Sequence, residues 1–195
     1  MDVAHLEHYS MDVPAPRQTE PTEWPPLELV NSLTPGGEDV LRDLAWLRAA
    51  AARWGLPDPA GARVDVDALA ALRGLLTELT RTVAAARPLS DEQLGALNGV
   101  IGSTPVQARV VTGTHGRYLV DMRPQTGDWT ELAVRDLAGG WVSLLRRTHP
   151  PRLKVCANDA CRRAFYDASR NRARRWCNGA RCGNRERVRR HRAGR

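Results

Sequence analysis

The stretch "CANDACRRAFYDASRNRARRWCNGARCGNRERVRRHR", residues 156–192, decides how this chain is read. It holds all four cysteines as two equally spaced pairs, Cys156-x4-Cys161 and Cys177-x4-Cys182, with 15 residues between them. Each pair closes a short loop that turns two sulfurs toward one point. The segment between brings the second pair round to complete a tetrahedron. So short a segment has little core of its own, so a metal would supply most of its folding free energy. Two disulfides or four free thiols are the alternatives. Residues 1–30 lack an apolar core and contain Pro14, Pro16, Pro21, Pro25 and Pro26, so no secretory signal is expected. A reducing cytoplasm is the expected compartment, and clustered thiols there bind metal more often than they form disulfides. An iron–sulfur cluster is the remaining metal option. Paired thiolates in a small basic module favour one zinc ion, and four thiolates leave no open position, so the site is expected to be structural.

The same end of the chain carries the positive charge. The 195 residues have a net charge of +7, but residues 151–195 alone hold 15 basic and three acidic side chains, a net +12. Residues 1–150 are then at −5. An acidic-to-neutral body with a basic end fits a polyanion partner for that end. Lys154 is the only lysine among 29 basic residues. Arginine dominates the body as well, so GC-rich coding is the first explanation and bidentate guanidinium chemistry the second. No apolar run approaches the ~18 residues of a membrane span, and no membrane partner is expected.

Upstream, residues 1–24 are polar, proline-bearing and aperiodic, and read as a disordered arm. Residues 25–150 read as a mostly helical domain. "LELVNSL" has a short helical pattern. "GEDVLRDLAWLRAAAARWGL" spaces Val40, Leu41, Leu44, Leu47 and Ala51 for a helix ending at Gly55. A second helix carries Leu69, Leu72, Leu76, Leu79 and Val83, and a Ser90/Gln93 capping box opens a third. Residues about 105–123 change to period two around a Gly113–Gly116 turn, a β-hairpin. Leu132, Leu137, Trp141 and Leu144 return to helical spacing, with Gly139-Gly140 open to a kink or a close helix approach, and Pro150-Pro151 ends the domain. Asp39, Asp43, Asp65 and Asp67 read as helix-start and surface carboxylates. Trp46, Trp54, Trp129 and Trp141 read as core, and Asn31 as a helix cap or a pocket residue. The fold class is α+β, with a small four-cysteine finger at 151–195 ending in a basic helix.

In the finger, Gly183 permits a tight turn, and a helix follows from Asn184 to about His191. Arg181, Arg185, Arg189 and Arg192 would share one face, Val188 would turn inward to Trp176 or Phe165, and Glu186 would pair with Arg190. A second short helix is expected from Arg170 to Trp176 behind Ser169, with Asp167 as a cap or an arginine's partner. Arg185 and Arg189 are candidates for base edges. Arg174, Arg175, Arg187, Arg190 and Arg192 are candidates for phosphates, with Arg181 beside them on the surface. Arg185 has a second reading, neutralising the thiolates or bonding a local carbonyl. His191 is not expected to bind the metal; His5 and His8 fall in the arm.

Residues 156–192 resemble the CGNR zinc finger, through Cys182-Gly183-Asn184-Arg185, the Phe165, Asp167 and Ser169 pattern, and Arg174 to Cys177. They depart from it at Arg162-Arg163, where the family often has an aromatic residue. The body is similar to the ABATE-type domain that precedes this finger in stress-induced transcription regulators, through residues 28–33, 43–47, 72–76 and 97–101. The resemblance implies bacterial transcription regulation, with DNA bound by the finger. The body would sense a signal, such as a small-molecule ligand, or form a homodimer. An RNA-binding or ribosome-associated protein and a thiol redox sensor working through the zinc site are the alternatives. The sequence holds no nucleophile–base cluster or phosphate loop, so no enzyme is expected.

Overall fold

The computed structural model describes residues 24–112, 116–147 and 152–193. Most of the expected arm, the tip of the hairpin and Pro150-Pro151 lie outside the described residues. Trp24, assigned to the arm, belongs to the body: it is the N-cap of α1 (Pro25–Val30) and stacks edge-on against Tyr166, ring centres 6.3 Å apart.

The single helix expected from Val40 divides in two, because two aspartates each cap a start. Asp39 accepts from the Leu41 amide and opens a 3-10 turn (Val40–Arg42). Asp43 accepts from the Ala45 and Trp46 amides and opens α2 (Leu44–Trp54). Gly55 ends α2 in the left-handed conformation that favours glycine, φ 75°. Helix α3 (Val66–Ala84) starts on Asp65, and α4 (Asp91–Gly102) on the Ser90/Gln93 capping box, both of whose bonds form. Strands β1 (Val106–Thr112) and β2 (Tyr118–Pro124) pair antiparallel, Val110 opposite Val120. Helix α5 (Trp129–Arg147) follows.

The core lies between the two long helices. Leu69, Leu72, Leu76 and Leu79 of α3 meet Ala133, Leu137, Ala138 and Trp141 of α5, with Leu29 of α1 and Leu47, Ala50 and Ala51 of α2. Burying each leucine stabilises the fold by about 1.5–3 kcal/mol. The buried indoles find acceptors: Trp141 donates to Thr80 Oγ1, Trp129 to the Pro57 carbonyl and Trp54 to Glu28. Trp46 is half-buried, edge-on to Trp54. Helix α5 runs on through Gly139-Gly140, and Gly140 faces Pro26 of α1. Strand β1, unlike the helices, is exposed along most of its length, so its period-two pattern does not face the core. Among the described residues no helix is long and apolar enough to cross a membrane.

The C-terminal unit consists of β3 (Leu153–Val155), β4 (Ala164–Tyr166), a π turn (Gly179–Gly183) and α6 (Asn184–Ala193). It sits against the body. Leu153 and Ala164 share a buried cluster with Leu27 and Leu144, and Trp24 and Tyr166 cover it.

Candidate metal centre and basic helix

The β3–β4 hairpin presents the first cysteine pair. Register pairs Val155 with Ala164, and the Cys156 amide donates to the Arg163 carbonyl at 2.8 Å. Asn158 then organises the loop. Its side chain accepts from the Ala160 amide, and its carbonyl accepts from the Cys161 and Arg162 amides. The second pair uses the same device. The Asn178 side chain accepts from the Arg181 amide at 2.9 Å, and its carbonyl accepts from the Cys182 and Gly183 amides. Two loops of equal length thus close around two asparagines and turn four sulfurs to one point.

The four Sγ atoms lie within 4.8 Å of one another, with Cys161–Cys177 at 3.7 Å and Cys177–Cys182 at 3.8 Å. Zinc–sulfur bonds of about 2.3 Å in a tetrahedron place sulfurs about 3.8 Å apart, whereas a disulfide needs about 2.05 Å. All four cysteines are free. The donor set therefore fits one zinc ion, held by Cys156, Cys161, Cys177 and Cys182, and rules out the disulfide alternative in this fold. Left to themselves these thiols do not ionise together. Burial, then the charge of Cys156 and Cys161, pushes Cys177 well above the ordinary thiol range. Burial and the Cys161 sulfur raise Cys182 to about 11. Burial works against Cys161 too, but the Arg163 amide and the other three sulfurs draw it below its usual value. A cation that ionises all four is what such a site needs.

Phe165, fully buried, and half-buried Trp176 pack around the sulfurs. Gly183 is not needed for a left-handed turn. Its α-carbon faces the Trp176 indole, where a Cβ would lie 3.4 Å from Cε3, in close contact. The helix expected from Arg170 to Trp176 does not form. Arg172 adopts φ 52°, which no helix accommodates, and the segment wraps around a buried ion pair instead. Asp167, with no exposed surface, accepts from Lys154 Nζ at 2.7 Å, from the Arg174 amide at 2.9 Å, and from the amide and hydroxyl of Ser169. Lys154 Nζ also donates to the carbonyls of Arg172 and Arg174. Burial alone would raise the Asp167 carboxyl; the bonds from Lys154, Ser169 and Arg174 outweigh it and hold the pKa at about 2.

The arginines divide by what they touch. Arg174 lies over the Phe165 ring and donates to the Cys177 carbonyl at 2.9 Å, so it braces the finger. Arg152 donates to the carbonyls of Asp167 and Ser169. Arg175 is exposed, over Trp176. Arg181 precedes α6, in the π turn, so it does not belong to that helix's face. Every described side chain of α6 except that of Glu186 is exposed, including Val188, which does not reach the finger core. Glu186 takes Arg189, at 2.9 Å through both nitrogens, among the described residues. The side chain of Arg190 lies outside the described residues. Arg185, Arg187 and Arg192 are exposed, and Arg185 makes no hydrogen bond or ion pair among the described residues; it bonds neither thiolate nor carbonyl.

Sequence reasoning missed the seam between finger and body. The Asn31 side chain donates to the Ala164 carbonyl and accepts from the Ala164 amide, both at 2.9 Å, replacing a strand neighbour for β4. A lone asparagine after a helix carried no signal for this. Beside the seam, a cleft of about 540 Å3 is lined by Arg81 of α3 and by Lys154, Arg162, Arg174 and Arg175 of the finger, with no acidic side chain on its wall.

A helical body sealed to a metal-stapled hairpin that carries an arginine-rich terminal helix defines a two-module zinc-finger protein. Residues 152–195 match the family described as "CGNR zinc finger". Residues 23–148 match the family described as "Putative stress-induced transcription regulator", ABATE. The second match covers more than half of the chain, which therefore belongs to the ABATE family and ends in a CGNR zinc finger. No curated protein matches the chain.

Proposed function

We propose that the finger binds duplex DNA and that the body regulates that binding, making the protein a cytoplasmic, nucleoid-associated transcription regulator. The observation that carries this reading is α6, a helix that starts directly after Cys182 and exposes every described side chain but that of Glu186, Arg185, Arg187, Arg189 and Arg192 among them. Such a helix enters a major groove and lays guanidiniums on both bases and backbone. Arg185, unpaired, reads a base edge. Arg175, Arg181, Arg187, Arg190 and Arg192 hold phosphates. Arg189 exchanges Glu186 for the nucleic acid, and Arg174 acts through the finger it braces. The family description supports regulation as the purpose.

Fluorescence anisotropy with duplex DNA and structured RNA tests the reading. Six to ten engaged phosphates give a log–log salt slope of about −5 to −9 on duplex. A slope near zero, or a clear preference for structured RNA, overturns it.

A further inference from the structure

The body contains a site that the finger does not use. Between the end of α4, the start of β1 and α5 lies a cavity of about 480 Å3, walled by Ile101, Pro105, Val106 and Val142. Arg135 of α5 lines it, 7% exposed. Its Nη1 donates to Asp136 at 3.0 Å. Its Nε is buried without a partner, and Nη2 makes no hydrogen bond among the described residues. Asp136 is partly exposed, and burial, against the pull of Arg135, raises its carboxyl above its ordinary value. Arg146, which also lines the cavity, has a partner of its own.

A buried guanidinium with two of its three nitrogens unused is unfavourable unless something accepts from them. The two unused groups, Nε and Nη2, form one edge of the guanidinium, the fork that takes a carboxylate through two parallel bonds. The rest of the wall is largely apolar, and the volume is that of a small-molecule site. Arg135 is already paired on its Nη1 side with Asp136, so the site suits a single negative charge better than a phosphate dianion, which would enter with more charge left unmatched.

We propose that this cavity binds an apolar monocarboxylate, its chain against Ile101, Val106 and Val142 and its carboxylate on Arg135, whose guanidinium turns its free donors to it on binding. Thr104 and Ser143, both buried on the same wall, supply hydroxyls beside the carboxylate. The helix that carries Arg135 also carries Leu144, which packs under the finger strands, so the occupant touches the element that seats the finger.

Calorimetry on the full-length zinc-loaded protein tests this with octanoate as the probe, 1-octanol as its uncharged match and inorganic phosphate as the apolar-free anion. Octanoate binds, and the other two do not. Arg135→Met weakens octanoate at least about tenfold, the loss of two charge-assisted bonds. Val106→Trp fills the cavity mouth from an exposed position without touching Arg135, and weakens octanoate similarly. It decides the matter should Arg135→Met lose its helical circular dichroism. Absence of octanoate binding overturns the proposal. So does octanol binding as tightly as octanoate, or a folded variant that binds octanoate like the parent.

Discussion

Lys154 is the one lysine of the chain, and its surroundings explain why an arginine does not stand there. A compact ammonium has three donors around one point, and Lys154 uses them on the Asp167 carboxylate and the carbonyls of Arg172 and Arg174. A planar guanidinium cannot converge on three such acceptors. Lys154→Arg is therefore not conservative. It should weaken the finger by about 1–3 kcal/mol, read as a lower chelator concentration at which zinc leaves. Asp167→Asn strands the ammonium and should act in the same direction by about 2–4 kcal/mol. In the body, Arg73 lies bidentate on Asp39 at 2.6 and 2.8 Å. Those bonds, against burial, hold the Asp39 carboxyl below its usual value. A depressed carboxyl contributes stability above its unfolded pKa, about 3.9, and loses it as pH falls through the lower folded value. Asp39→Asn should lower the melting temperature at pH 7 and flatten its fall below about pH 4, followed by circular dichroism.

At the scale of elements, the helices that pack were legible and the segments that wrap were not. The leucines of α3 and the Ser90/Gln93 box announce their helices, because period and capping are local properties. Leu76→Ala should destabilise the body by about 2–5 kcal/mol in thermal unfolding, since Leu76 is fully buried against α5. Residues 170–176 carry the composition of a helix after a serine cap, yet three acceptors around Lys154 and the Asp167 carboxylate determine their path. Those partners are 13 to 20 positions apart in the chain, beyond any window of periodicity. Val188 misled for a related reason. A lone apolar residue in a helix implies a core only if the helix lies on one, and α6 packs chiefly on the π turn that starts it. The cysteine ligands needed no such context, because equal spacing in two pairs is already the geometry of the site.

For the whole molecule, the seam matters most. Asn31 ties the body to the finger through two bonds to Ala164, and the Leu27, Leu144, Leu153 and Ala164 cluster closes beneath it. Asn31→Ala leaves the Ala164 amide and carbonyl without partners in a buried place, a loss of about 1–3 kcal/mol. It should release protection of the Ala164 amide in hydrogen exchange while amides of α3 stay protected. Cys177→Ser should likewise unfold the finger and leave the α3–α5 core helical, because that core draws on no finger residue. Zinc fits the turn from which α6 starts, so under the proposed function nucleic-acid affinity depends on the metal through that helix. The most direct measurement is duplex DNA affinity of the full-length protein across a salt series, before and after zinc is removed by a chelator. The proposed function predicts a log–log slope of about −5 to −9 with zinc and a large loss of affinity without it, restored when zinc is returned. An affinity and slope unchanged by zinc removal would contradict the account.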